Sequence, residues 1–327
     1  MRKIAAVASF AFLGAGAANA AGVEAQVSGY MNAGVGLIDA EGATDSFGIF
    51  RDGELHFNMT ALTDNGLTLR ARVELEAFSS GDQIDENWVS VGGKFGTLLF
   101  GGADTALNEH GGVGVVYPSG YYFNYYDGTA FDVPGDPRSM VGKDDAIGVR
   151  YWYSLAGFEA GVSYQPDANT DSALDSNNLV FENDDQTAVG AKYAGRSGDL
   201  RFALGGGYLW NGPTEMAHAG VELAYMGFTV AGFYDRENRA NTPAGRLLGG
   251  DLDRFGLGAQ YETGPWSLGG GYTLTDRRGG RGDDDFAQVG AAYDLAPGVT
   301  AFGAMQWGHN ERDVEGYGVF SGLNLRF

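Results

Sequence analysis

Two arginines, Arg70 and Arg72, stand two positions apart in the stretch "LTLRARVELEAF" (67–78). Thr68, Glu74 and Glu76 share their parity, while Leu67, Leu69, Ala71, Val73, Leu75 and Ala77 take the other. In an extended chain that parity is a face. Four successive charges backed by a continuous apolar stripe describe a wall with water on one side and oil on the other. Charges fixed beside water act on passing ions and dipoles through their field. Bond-breaking chemistry has less support. The four histidines, His56, His110, His218 and His309, fall in no nucleophile-elbow or zinc-hydrolase spacing. There is no cysteine, which removes thiol nucleophiles and thiolate metal sites.

The second group of charges lies in a long segment, "DTALNEHGGVGVVYPSGYYFNYYDGTAFDVPGDPRSMVGK" (104–143). Connections this long are usually functional or disordered. Its Tyr, Phe and Val content is wrong for disorder. Those side chains need a surface to pack on, and the inside of a surrounding wall is the nearest one. Folded inward, the segment carries Glu109, Asp127, Asp132 and Asp136 toward Arg70 and Arg72. His56 and Arg51 stand close by on the preceding strand. Arg51 has the parity of the apolar face and needs a bulge or a rim position to join them. The arginines can equally pair with Glu74 and Glu76 in their own wall.

A third group is purely acidic: "DSNNLVFENDD" (175–185), "DLDR" (251–254) and "RGDDD" (281–285). Such runs form solvated, mutually repelling surfaces. They can also hold Ca²⁺ or Mg²⁺ that bridges to anionic lipid headgroups, although none follows the EF-hand pattern. No cofactor is required by any motif.

The elements that must position these groups are strands. Alternation recurs through the chain, as in Phe158, Ala160, Val162 and Tyr164 against Glu159, Gly161 and Ser163. Sixteen such segments are predicted near 23–38, 50–62, 66–78, 86–93, 96–103, 144–154, 157–165, 185–194, 199–209, 215–225, 227–235, 252–262, 265–275, 285–293, 298–308 and 314–327. Many positions on the polar face are Gly, Ala or Ser, which leave room rather than fill a core. Glycine totals 55 of 327 residues, against a usual share of about 7%. Short turns such as "TDNG" (63–66), "LAG" (155–157) and "LAPG" (295–298) alternate with longer polar connections. That alternation predicts an all-β fold, a 16-stranded antiparallel up-and-down transmembrane β-barrel with its long third loop folded into the lumen. Phe95, Phe158, Tyr193, Tyr225, Phe228, Tyr261, Trp266 and Tyr293 flank the short turns, as an interfacial girdle would.

The ends fit an exported chain. Arg2 and Lys3, an apolar run over 4–17 and Ala18-Asn19-Ala20 predict a signal peptide over 1–20, cleaved between Ala20 and Ala21. One barrel domain then occupies 21–327. Lys and Arg total 21 against 42 Asp and Glu, a net charge of −21 that argues against nucleic acid as a partner.

Taken together, the leader, the opening strand "VEAQVSGYMNAGVGL", the hairpin "ENWVSVGGKFGTLLFGGAD", the long loop with "NEHGG" and the closing "GLNLRF" resemble the general diffusion porins of Gram-negative outer membranes. The likeness is greatest to the trimeric porins of purple non-sulfur and other alphaproteobacteria. The resemblance implies a homotrimer of water-filled pores for ions and small hydrophilic solutes, embedded among outer-membrane lipid and lipopolysaccharide. It implies an inward third loop whose acids face basic wall residues. It also implies that Phe327, with Leu325 and Leu323 before it, is read by the barrel-assembly machinery. The second loop, "SSGDQID" (79–85), is short for a subunit latch. Other readings are a solute-specific channel, for sugars for example, using the tyrosines near 121–126, a barrel adhesin, or a barrel enzyme.

Overall fold

Alternating β-branched, aromatic and small residues favour extended pairs, and the glycine-containing turns let each pair double back. In the computed structural model, sixteen strands do this in succession. The structure describes residues 22–40, 46–78, 83–114, 146–166, 185–211, 214–238, 251–277, 283–309 and 314–327. The signal-peptide expectation, Asp127, Asp132, Asp136 and the tyrosines near 121–126 lie outside them.

The strands are β1 (Val23–Ala40), β2 (Ser46–Leu62), β3 (Thr68–Glu76), β4 (Ile84–Gly93), β5 (Gly96–Gly102), β6 (Ile147–Leu155), β7 (Phe158–Gln165) and β8 (Gln186–Ser197). They continue as β9 (Leu200–Asn211), β10 (Thr214–Tyr225), β11 (Phe228–Asn238), β12 (Leu252–Thr263), β13 (Trp266–Arg277), β14 (Asp283–Ala296), β15 (Val299–His309) and β16 (Glu315–Arg326). Among the described residues one short helix, α1 (Ala106–Gly111), follows β5. Each strand pairs antiparallel with its sequence neighbours, and β1 pairs with β16 to close a barrel. Closure leaves no edge, as an apolar surrounding requires.

The last residue takes part in that closure. Phe327 N–H donates to Gly29 O at 3.1 Å, and Gly29 N–H donates back to Phe327 O at 2.9 Å. Leu323 and Leu325 pair with Ala33 and Met31 across the seam and face outward.

The two faces are sorted in the reverse of a water-soluble protein. Leu204, Leu223, Leu257, Val289 and Val319 stand exposed on the outside, while Gln288, Thr273, Arg254, Asp235 and Asn324 are buried on the inside. This is the arrangement of a barrel in lipid around a polar interior. The predicted girdle is present as cross-strand neighbours: Phe158 opposite Tyr193, Phe228 opposite Tyr261 and Trp266 opposite Tyr293. The last two pairs bring ring centroids to 4.3 and 4.7 Å. Inside the seam, Phe50 packs against Phe302 and Phe320, with centroids 6.2 and 6.3 Å apart. Their rings lie over Gly36, Gly318 and Gly322, where a Cβ would collide with them.

Candidate functional site

The root of the long third connection enters the barrel. Thr105 caps α1, its Oγ1 accepting from Asn108 N–H at 3.3 Å, and the helix lies against the inner faces of β7 to β10. Ala106 and Leu107 are fully buried, and Leu107 joins Ala188, Leu209 and Met216 in a small apolar cluster. The wall is flat enough to accept a helix because it is glycine there. A Cβ on Gly207 would stand 2.6 Å from Leu107 Cδ1, and one on Gly190 would stand 2.7 Å from Gly111 N. The small inner residues of β8 and β9 therefore do more than leave room: they seat the helix.

Polar contacts fix the seat. Arg150 donates to Asp104 O at 2.6 Å, Gln165 donates to Ala103 O at 3.1 Å, and Ala106 N–H donates to Ser163 Oγ at 2.9 Å. Two histidines finish the attachment. His110, on the helix, stacks on Trp152 and places Nδ1 2.8 Å from Glu159 Oε1. A carboxylate only accepts, so Nδ1 carries the proton. Burial pulls the His110 imidazole below its ordinary range, against the opposing pull of Glu159. His218, on β10, bonds through Nδ1 to Asp235 Oδ1 at 2.5 Å, and its Nε2 accepts from Val113 N–H at 3.1 Å.

On another part of the wall, β2 and β3 place His56 directly opposite Glu74, with Glu54 two residues away on the same face. Arg72 adds its Nη1 to Glu74 Oε1 at 2.7 Å and lies 3.8 Å from Glu86 Oε2. Its Nη2 stands 2.9 Å from His56 Nδ1. Glu86 also accepts from Trp88 Nε1–H at 3.1 Å and from Asp104 N–H at 3.3 Å, joining this cluster to the root of the third connection.

The predicted site residues are thus divided. Arg72 and His56 share one charged patch on the inner wall. Arg70 has the same inward parity, but it is exposed two residues from the start of β3, nearer the short-turn end than the middle of the strand. Glu109 is on α1 and exposed. Arg51 is a correction: β2 runs opposite β1 without a bulge, so Arg51 stays on the outer face. There its guanidinium lies 4.7 Å from the centre of the Phe78 ring. Arg72 pairs first with Glu74 in its own wall. The described parts of the acidic runs also have partners. Asp253 accepts from Tyr234 Oη–H at 2.5 Å, and Asp284 accepts from Arg277 Nη2–H at 2.5 Å. Asp285 accepts from the Tyr272 hydroxyl.

Sequence reasoning left out the seat of α1, His110 with Glu159, and His218 with Asp235. The signal available was Thr105 ahead of the helix-favouring "ALNE", together with inner glycines recurring on adjacent strands.

The family model for Gram-negative porins matches residues 5–313. No curated protein matches. Among solved structures, a porin refined at 1.8 Å resolution is similar at 20% identity and a TM-score of 0.63, covering 93% of this chain and 100% of its own. An anion-selective porin from Comamonas acidovorans is similar at 17% identity and a TM-score of 0.65, with the same coverage. In-vitro folded OmpT, an outer-membrane protein of Vibrio cholerae in its trimer form, is similar at 16% identity and a TM-score of 0.60. That match covers 93% of this chain and 99% of OmpT.

Proposed function

Because this chain belongs to the Gram-negative porin family and forms an outer-membrane diffusion channel, we propose that it conducts cations in preference to anions, as one of three barrels in a homotrimer. The observation that carries the preference is the excess of acid on the lumen wall. Glu74 and Glu86 share one arginine, Arg72, and Glu54 beside them faces His56. Fixed charge in a narrow aqueous passage raises the local concentration of the opposite ion. Small hydrophilic solutes share the passage, which runs between the helix-bearing wall of β7–β10 and the charged wall of β2–β4. Arg70, Arg72 and His56 border it on one side and Glu109 on the other. The trimer is supported by the trimer form of the similar Vibrio protein.

Planar-bilayer recording tests both parts. Insertions should appear as ohmic steps in groups of three. The reversal potential in a salt gradient should take the sign of a cation-preferring pore and shrink toward zero in concentrated salt, where the Debye length falls to about 3 Å at 1 M. A reversal potential of the opposite sign refutes the preference, and single independent steps refute the trimer.

A further inference from the structure

The charged patch on β2 and β3 has a composition beyond that needed to line a pore. We propose that Glu54, His56 and Glu74 form a binding site for a divalent metal ion of the zinc class. His56 and Glu74 are directly opposite in the β2–β3 ladder, and Glu54 lies on the same face two residues along β2. His56 Nε2 is 3.2 Å from Glu54 Oε2 and 3.9 Å from Glu74 Oε1. One donor atom from each residue lies within 4.8 Å of the others. A metal with bonds of about 2.0–2.2 Å holds its donors roughly 3–3.5 Å apart, so a small inward movement of side chains closes the site.

Two further features point to a ligand. Glu54 is only 9% exposed, and its Oε1 and His56 Nε2 are both buried without a well-aligned hydrogen bond, although Nε2 stands 3.2 Å from Glu54 Oε2. The two carboxylates are also under-compensated. A bulge in the β3–β4 ladder between Val73 and Leu75 brings both Asp85 and Glu86 opposite Glu74. Arg72 is the guanidinium that meets them, paired to Glu74 and reaching Glu86. Buried carboxylates that outnumber their cations take up either a proton or a bound cation, and a cation held here would displace that proton.

The donor set selects the class. Imidazole nitrogen with two carboxylates suits zinc and its first-row neighbours, whereas calcium and magnesium take all-oxygen sites. Glu86 is engaged by Trp88 and Asp104 and is a flanking charge. Water would complete the coordination of such a three-ligand site.

Arg72 is the competitor. A guanidinium only donates, so its bond to His56 leaves the Nδ1 lone pair in use and the ring proton on Nε2. Ligation through Nε2 moves that proton to Nδ1, and Arg72 must then turn away from the ring. Metal and Arg72 therefore exclude each other at His56, and removal of Arg72 tightens metal binding.

The test is calorimetric titration of the purified folded barrel with ZnCl₂, and separately with CaCl₂. This measures binding alone, so its failure is distinct from failure of the conduction reading. One zinc per barrel is expected, with calcium at least about tenfold weaker. His56→Gln and Glu74→Gln should each weaken zinc at least about tenfold, and Arg72→Met should strengthen it. Wild-type barrel that takes up no zinc, or zinc binding that His56→Gln leaves unchanged, overturns the proposal. Should the variants fail to fold, Co²⁺ added to wild-type barrel provides an independent readout. Visible d–d bands of a nitrogen- and oxygen-ligated ion are expected, and the spectrum of free aqueous cobalt overturns the site.

Discussion

Leu107→Ala should loosen the helix that narrows the lumen. Leu107 is 2% exposed and sits among Ala188, Leu209 and Met216 on the inner wall. The substitution removes about three buried carbon groups, worth roughly 0.8 kcal/mol each, or about 2.4 kcal/mol before any cavity cost. Buried Leu→Ala changes generally fall at about 2–5 kcal/mol. A loss of about 2.4 kcal/mol changes the ratio of docked to undocked helix by about fiftyfold, at 1.4 kcal/mol per factor of ten. The barrel itself is held by its ladders and should stay folded. Single-channel recording should then show larger open-state current noise and a higher mean conductance, and limited proteolysis should cut near 104–114. Leu204→Ala is the control, because it removes the same atoms from the lipid-facing side of β9, where Leu204 is 51% exposed. If Leu107→Ala and Leu204→Ala give the same noise and the same cleavage, the helix is not held by this contact and the seat described here is wrong.

Replacing both Arg70 and Arg72 by Ala should shift the reversal potential further toward cation preference at low salt, because Glu74 and Glu86 lose their shared guanidinium; an unchanged potential refutes their place on the pathway. Deleting Phe327 removes the pair of main-chain bonds to Gly29 at the seam, and the amount of heat-modifiable folded barrel in the outer membrane should fall; normal amounts would make the last residue incidental. The pH dependence of helix docking follows from His110. Its imidazole is harder to protonate when docked, so docking is at full strength above the ordinary value of about 6.5 and weakens as pH falls through it. Open-channel noise should therefore rise on acidification, and His110→Gln should flatten that rise; an acid response unchanged in the variant refutes the link.

Much of the barrel is legible because period-two alternation and turn chemistry are local signals. Thr68 to Glu76 already separates a charged face from an apolar one, and the ladders preserve that parity. Strand ends are less legible. β2 starts at Ser46 rather than near residue 50, because Phe47 and Ile49 continue the outer stripe opposite β1. Arg51 shows the rule working against an expectation. Its parity places it outside, and no bulge moves it inward. Near the long-loop end it keeps its charge in reach of water and covers Phe78, which is a tolerable position for a guanidinium at a membrane interface.

The site was harder to read because its partners are distant in sequence. His218 and Val113 are 105 positions apart, and His110 and Glu159 are 49 apart. No periodicity links such pairs; only the closed wall brings them together. Even so, the glycines carried a usable trace. Gly161, Gly190, Gly205, Gly207 and Gly220 lie on four adjacent strands, and at each a Cβ would strike the helix or the residues just after it. A porin wall that only surrounds water has no need of that bare patch. Glycines clustered across neighbouring strands mark where backbone meets backbone, and here they mark where the helix at the root of the third connection rests on the wall.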